Sequence, residues 1–164
     1  DKLSISETCL LASSLVESTL SSHIMSVLLS IGLDFDYLCT ITKLIILRIM
    51  DKKALKVIAD AMLEKKGQDV VSLDLKPIGT AISDYFIVCN ADSTPNVVAI
   101  ADNVEERMIE KCKRKVIRTQ GKENAFWVIL DYGDIVVHVF QTPYRAFYRL
   151  EDLWADAERT AYED

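Results

Sequence analysis

The chain has 164 residues, half of them hydrophobic and 27 % charged, and only five glycines and three prolines. That is enough for one globular domain with an appendage, and it excludes wholesale disorder and collagen-like, low-complexity or long linker segments. Nineteen Lys and Arg against 25 Asp and Glu give a formal charge of −6, which excludes a protein that coats nucleic acid through charge alone. A basic partner suits it better than an acidic one.

Cys9, Cys39, Cys89 and Cys112 form no CxxC pair, and the only histidines are His23 and His138. The cysteines read as reduced, mostly buried thiols of a cytoplasmic protein, and neither a metal site nor a cofactor is expected.

Residues 1–49 carry three cations (Lys2, Lys43, Arg48), five acids and a serine cluster between Ser13 and Ser22. The apolar run Ile24–Leu33 is short, and Lys43 and Arg48 interrupt the later one, so neither reaches the roughly 18 to 20 apolar residues of a membrane span. Asp1, Glu7 and Glu17 argue against a secretory or organellar leader. A charged amphipathic pattern opens directly after Met50, so Met50 reads as the natural start and 1–49 as an upstream extension outside the functional unit. A helical appendage packed on the domain is the competing reading.

Over 52–66, Leu55, Ile58, Ala59 and Met62 share one helical stripe, Lys65 and Lys66 complement the carboxyl end of the dipole, and Gly67 is the stop. Residues 70–75 and 85–89 read as strands, the second more buried. Ser93 and Thr94 before Pro95 open a helix whose apolar face is Val97, Ile100, Ala101, Val104, Met108 and Cys112. A short strand over 115–119 follows. Phe126–Tyr132 and Ile135–Phe140 are β-prone runs separated by Gly133-Asp134, the signature of a two-residue hairpin. Thr142 and Pro143 begin a last helix with Phe147, Leu150 and Trp154 on one stripe, and a polar tail closes the chain. The order predicts an α/β (α+β) domain, a mixed sheet of about five strands flanked by helices.

The two-residue loop fixes the pairing: Asp131 with Val136, Leu130 with Val137, Ile129 with His138, Val128 with Val139 and Trp127 with Phe140. One face then carries Phe126, Val128, Leu130, Tyr132, Ile135, Val137 and Val139, a core face. The other carries Trp127, Ile129, Asp131, Val136, His138 and Phe140. An acid and an imidazole among aromatic rings are costly to bury alone, so this face is either a satisfied polar cluster, Asp131 bonding His138 beneath a helix, or a surface that meets a partner. Trp127, Phe140, Tyr144, Arg145 and Tyr148 are of the types that dominate binding hot spots, and the two readings are compatible.

Lys111 to Lys122 holds six basic residues and no acid, which can touch phosphate or be a solvated helix end. No phosphate-cradling glycine loop and no nucleophile motif occurs. Asp131 and Asp134 are spaced as DxxD, but the hairpin puts one in the strand and the other in the turn.

The string from Gly121 to Ala157, GKENAFWVILDYGDIVVHVFQTPYRAFYRLEDLWADA, together with DYFIVCNADS and VVAIADNVEE, resembles the ribosomal silencing factor family, the Iojap-like proteins. The resemblance covers roughly 51–157, and it is carried by Trp127, Leu130 to Asp134, Val137 to Phe140, Arg145, Tyr148 and Leu150 to Trp154. It implies three segments: an extension over 1–49, a silencing-factor domain over 50–157 and a polar tail over 158–164. It also implies a nucleotidyltransferase-like core without that activity; Gly79-Thr80 and the lone Asp84 do not supply the Gly-Ser turn and paired aspartates such an enzyme needs. The implied protein is not an enzyme. It binds the large ribosomal subunit through its fourteenth protein at the face that meets the small subunit, blocks joining sterically and represses translation. A minor contact with ribosomal RNA, no membrane partner, and a monomer or homodimer when free complete the expectation. The expected partner-binding set is Trp127, Asp131, Tyr132, His138, Phe140, Tyr144, Arg145 and Tyr148, with Asp131 fixing His138. A nucleotidyltransferase-like enzyme using Asp84, Asp131 or Asp134, and an adaptor that pairs its sheet edge with other proteins, are the alternatives.

Overall fold

A computed structural model of the chain describes residues 35–79 and 81–163. The readings placed on Cys9, His23, the serine cluster, the run Ile24–Leu33 and Thr80 lie outside the described residues. The chain divides into two units, 1–51 and 52–164. Helix α1 spans Phe35–Glu64, so it begins well before the expected position 52. No proline or glycine stands between 35 and 64 to stop it. In the first unit Leu44, Ile45, Leu47, Ile49 and Met50 are exposed and Ile46 is half-buried. No helix among the described residues is long and apolar enough to cross a membrane.

In the second unit the predicted stripe of α1 is the buried one: Leu55, Ile58, Ala59 and Met62. The helix ends with Lys66, not Gly67, in the left-handed region (φ 61°), and the Gly67 N–H returns to the Met62 carbonyl at 2.8 Å. Lys65 and Lys66 therefore lie just past the last helical turn. Strand β1 (Gln68–Asp74), a 3₁₀ turn (Lys76–Ile78), β2 (Tyr85–Ala91) and helix α2 (Thr94–Cys112) follow. Ser93 stands at the N-cap of α2 without a side-chain capping bond, although Pro95 occupies the first turn as read. Next come β3 (Arg118–Gln120), β4 (Trp127–Asp131), β5 (Ile135–Gln141), and the short helices α3 (Thr142–Tyr148) and α4 (Leu150–Leu153).

The sheet has six strands where about five were expected, in the order β3-β4-β5-β2-β1-β6. The sixth, β6 (Glu158–Tyr162), runs antiparallel to β1 over the stretch expected to be a polar tail. Its polarity is that of an edge strand with most side chains in water. All neighbours are antiparallel except β2 and β5, whose parallel pairing runs from Tyr85 with Ile135 to Ala91 with Gln141.

Helix α2 and the 52–64 part of α1 belong to the main core, which takes in Val70, Ile87, Val128, Leu130, Val137 and Val139 from the sheet. A smaller cluster on the opposite face gathers Leu73, Leu75 and Ala157 with Phe86 and Trp154. Cys89 and Cys112 are free, and burial pushes the Cys89 thiol up to about 12, too high to react near neutrality.

Gly121, which opens the loop between β3 and β4, is irreplaceable: its φ is 82°, and a Cβ there would sit 2.0 Å from the Trp127 carbonyl oxygen. Gly121→Ala must displace the start of β4, and we expect it to lower unfolding free energy by upwards of about 2 kcal/mol, read as a shift of the urea midpoint.

Candidate functional site

The β4–β5 hairpin adopts the register read from its turn. Trp127 pairs with Phe140, Val128 with Val139, Ile129 with His138, Leu130 with Val137 and Asp131 with Val136, and the Tyr132 N–H closes on the Ile135 carbonyl at 2.9 Å. Gly133 takes the first loop position at φ 91°, as a two-residue hairpin loop that twists with its strands requires. The side chain of Asp131 serves this turn, its Oδ1 accepting the Gly133 N–H at 2.7 Å. Asp131 thus does not hold His138, as had been expected; an Asx-type bond two residues on satisfies it locally.

His138 is held from the other side. The Trp127 indole N–H donates to His138 Nδ1 at 3.2 Å, so the neutral ring carries its proton on Nε2, which is buried without a partner among the described residues. The Phe86 ring stands edge-on at 4.7 Å. Burial holds the imidazole down at about 4, so His138 is uncharged near neutrality.

Around this pair the rings form a graded series on the face away from α1 and α2. Phe140 is fully buried, Trp127 stacks on it at 4.8 Å and is half-buried, Tyr148 lies 5.1 Å from Trp127 and is 49 % exposed, and Phe147 meets Tyr148 edge-on and is 78 % exposed. A second stack, Phe126 on Tyr144 at 4.6 Å, flanks it. Ile129, Asp131 and Val136 continue the face as half-buried residues of β4 and β5. The row of aromatic groups thus rises from core to solvent on a half-covered sheet and has the residue types common at interface centres.

The expected partner-binding residues are not all brought together. Trp127, Tyr144 and Tyr148 lie on the open face, Asp131 beside it, and His138 and Phe140 beneath it. Tyr132 is on the opposite face, buried with the core, its hydroxyl unpartnered among the described residues and its pKa raised by burial. Phe126, assigned to the core face, is 43 % exposed, because Ala125 before it takes a positive φ of 52° and the strand begins only at Trp127. The stripe through Phe147, Leu150 and Trp154 does not form, because Arg149 at φ 46° breaks the last helix in two and leaves Phe147 in water. Phe126 and Phe147 are the ring residues sequence reasoning missed.

Arg145 turns inward. Its guanidinium donates to Glu151 Oε1 through Nε (3.0 Å) and Nη2 (2.5 Å), and through Nη1 to Asn90 Oδ1 and the Asp69 carbonyl, both at 2.7 Å. Asn90, buried in β2, donates to the Thr142 hydroxyl at 3.0 Å, which in turn donates to Asp92 Oδ1 at 3.1 Å. Helix α3 has no buried residue, so this clamp, together with the stacks of Tyr144 on Phe126 and Tyr148 on Trp127, fastens it to the sheet. The clamp lines an open cavity of about 320 Å³ with Arg149, Asp152 and Arg159.

The carboxylates named for catalysis do not converge. Asp84 pairs with Lys76 at 3.8 Å, Asp134 forms an ion pair with Arg114, and Asp131 holds its turn. Among the described residues no group of three or more His, Cys, Asp or Glu is placed to hold a metal.

The domain is a mixed α/β sheet, covered by helices on one face and bearing exposed rings on the other. The sequence matches the family model described as ribosomal silencing factor during starvation over residues 49–164, and the chain belongs to that family. It is 39 % identical over 106 residues to the ribosomal silencing factor RsfS of Bacillus subtilis (strain 168), covering 65 % of this chain and 88 % of that protein. It is 37 % identical over 92 residues to the chloroplastic Iojap protein of Arabidopsis thaliana, covering 56 % and 37 %. Among solved structures, a Bacillus halodurans protein superimposes with TM-score 0.57 at 34 % identity, covering 69 % of this chain and 99 % of that one. A Chromobacterium violaceum protein does so with TM-score 0.60 at 28 % identity, covering 69 % and 92 %. Family membership makes the protein a ribosome-associated regulator of translation.

The unfolded chain protonates His138 near its ordinary 6.5 while the folded chain resists until about 4, so its contribution is complete above pH 6.5 and is lost as pH falls toward 4. The loss amounts to about 3 kcal/mol; His138→Gln, which keeps an acceptor for Trp127 and does not titrate, should flatten that slope in urea unfolding between pH 7 and 4. Arg145→Met leaves the nearly buried Glu151 carboxylate with only Arg159, 3.8 Å away, and should cost about 3 kcal/mol. The double variant Arg145→Met/Glu151→Leu should recover part of it in the same measurement.

Proposed function

We propose that this protein binds the large ribosomal subunit through its fourteenth protein, at the face that meets the small subunit, and that it represses translation by standing in the way of joining. The observation that carries this reading is the aromatic series on the uncovered face, anchored on Trp127 and reaching water at Tyr148 and Phe147. It has the residue types and the buried-to-exposed layout of an interface centre. Membership in the silencing-factor family supports the ribosome as partner, and a mouse relative, 25 % identical, is named for assembly of the ribosomal large subunit.

Occlusion needs no chemistry. A patch of about 800 Å² with an aromatic centre suffices for a stable complex, and a chain of charge −6 meeting a basic ribosomal protein associates faster through steering. Trp127, Phe126, Tyr144 and Tyr148 make the contact in this reading; His138, Phe140 and Asp131 shape the surface from behind and beside it, and Arg145 holds its helix. The acting unit is the domain that follows Met50, and it works in the cytoplasm without cofactor or catalysis.

The test is sedimentation of the purified protein with large subunits, followed by addition of small subunits. The wild type should comigrate with large subunits and reduce the joined fraction, while Trp127→Ala/Tyr148→Ala should lose at least tenfold in affinity with its circular dichroism unchanged. Absence of the wild type from the large-subunit fraction at micromolar protein would sink the proposal.

A further inference from the structure

The cavity of about 320 Å³ beside α3 lies apart from the rings. Helix α3 meets it with Thr142, Arg145, Ala146 and Arg149, whose spacing puts them on one helical face, while Tyr144, Phe147 and Tyr148 occupy the opposite face. The volume falls at the small end of the range of pockets that hold small molecules, about 300 to 1,000 Å³. Asp69, Glu151, Asp152 and Arg159 complete the charged lining, so three acids stand against three arginines and the formal charges cancel.

Most of these charges are spent on one another. Arg145 gives its donors to Glu151, Asn90 and the Asp69 carbonyl, and Arg149 pairs with Asp152 at 2.5 Å. Three groups keep unused capacity. Every contact to Glu151 falls on Oε1, so Oε2 of this carboxylate, whose side chain is only 11 % exposed, has no partner among the described residues. Such an oxygen is costly to leave without a donor. Arg159 comes only within 3.8 Å of Glu151 Oε1, beyond hydrogen-bond reach, and forms no other ion pair among the described residues. The Asp69 carboxylate has no partner among them at all, and Asp69 sits with a φ of 48° at the irregularity of β1, where a bulge re-aims a side chain.

We propose that this cavity binds a free α-amino acid with a cationic side chain, of the lysine or arginine kind. Glu151 Oε2 accepts from the α-ammonium, and the neighbouring Arg159 guanidinium takes the α-carboxylate through its planar fork of donors. An acceptor and a cation so close together match two opposite charges carried on one carbon. Asp69 is left for the side-chain cation. Arg159 pairs with Leu73 in the β1–β6 ladder, and from Leu73 back to Asp69 the strand covers on the order of 13 Å, a span that a long side chain bridges and a short one does not. A phosphate or a simple carboxylate brings no cation to offset Glu151 and Asp69, so the lining selects against it.

The experiment is an NMR chemical-shift titration of the isotope-labelled full chain at low ionic strength with L-arginine, L-norleucine, acetate and inorganic phosphate. L-arginine should bind and shift resonances of β6 and of α3, L-norleucine should bind at least tenfold more weakly, and acetate and phosphate should shift nothing at the same concentrations. Asp69→Asn, which tolerates the same backbone, should erase the preference for L-arginine while leaving L-norleucine unchanged. Arg159→Gln should weaken both amino acids at least tenfold with the circular dichroism of the protein unaltered. Absence of L-arginine binding at millimolar ligand overturns the proposal, as does phosphate or acetate binding as tightly as L-arginine, or an Asp69→Asn variant that keeps the wild-type preference. No ribosomal component enters the measurement, so the docking reading stands or falls separately.

Discussion

A two-residue turn sets everything on this molecule's outward face. With Gly133 and Asp134 as the whole loop, each residue of β4 has one partner on β5, and the alternation of side chains sends Val128, Leu130, Val137 and Val139 to the helices and Trp127, Ile129, His138 and Phe140 to the other side. A slip of one residue would exchange the two sets, placing an imidazole and an indole against α2 and four aliphatic side chains in water. The turn is secured twice over, by the positive φ of Gly133 and by the Asp131 carboxylate accepting its N–H. Asp134 adds a tie through Arg114, and its carbonyl accepts the N–H groups of Asp84 and Tyr85 at the start of β2.

The helices on the two sides of the sheet are held by different means. Those of the main core bury apolar stripes, so their positions follow from the hydrophobic effect. Helix α3 buries none and is fixed by directed bonds, Arg145 to Glu151, Asn90 and the Asp69 carbonyl. Directed bonds fix orientation more tightly than apolar contact does, so the rings that α3 carries are held at a set angle.

The hairpin was legible in the sequence because period and turn chemistry agreed there. Alternating apolar residues around Gly-Asp admit one register, and both faces follow from it. The apolar stripes of α1 after Lys52 and of α2 were legible for a similar reason. The exposure of Phe126 and Phe147 was not, because it depends on left-handed backbone at Ala125 and Arg149, residue types that give no sign of it. Strand β6 was hidden by its own polarity, since an edge strand in water has no apolar alternation to read. The inward turn of Arg145 depends on Asp69 and Asn90, far away in sequence and joined only by the fold. The resemblance reached the family from a run of residues around the hairpin, where the local pattern is most distinctive.

The stacking of the rings has a thermodynamic consequence. Trp127 rests on Phe140, Tyr148 against Trp127, and Tyr144 on Phe126 already in the free chain, so these side chains have surrendered most of their rotational freedom before any encounter. Ordering a rotamer-rich side chain at an interface costs about 0.5 to 1.5 kcal/mol. Here that disorder was already removed during folding, so no such cost is left for these rings at any later contact.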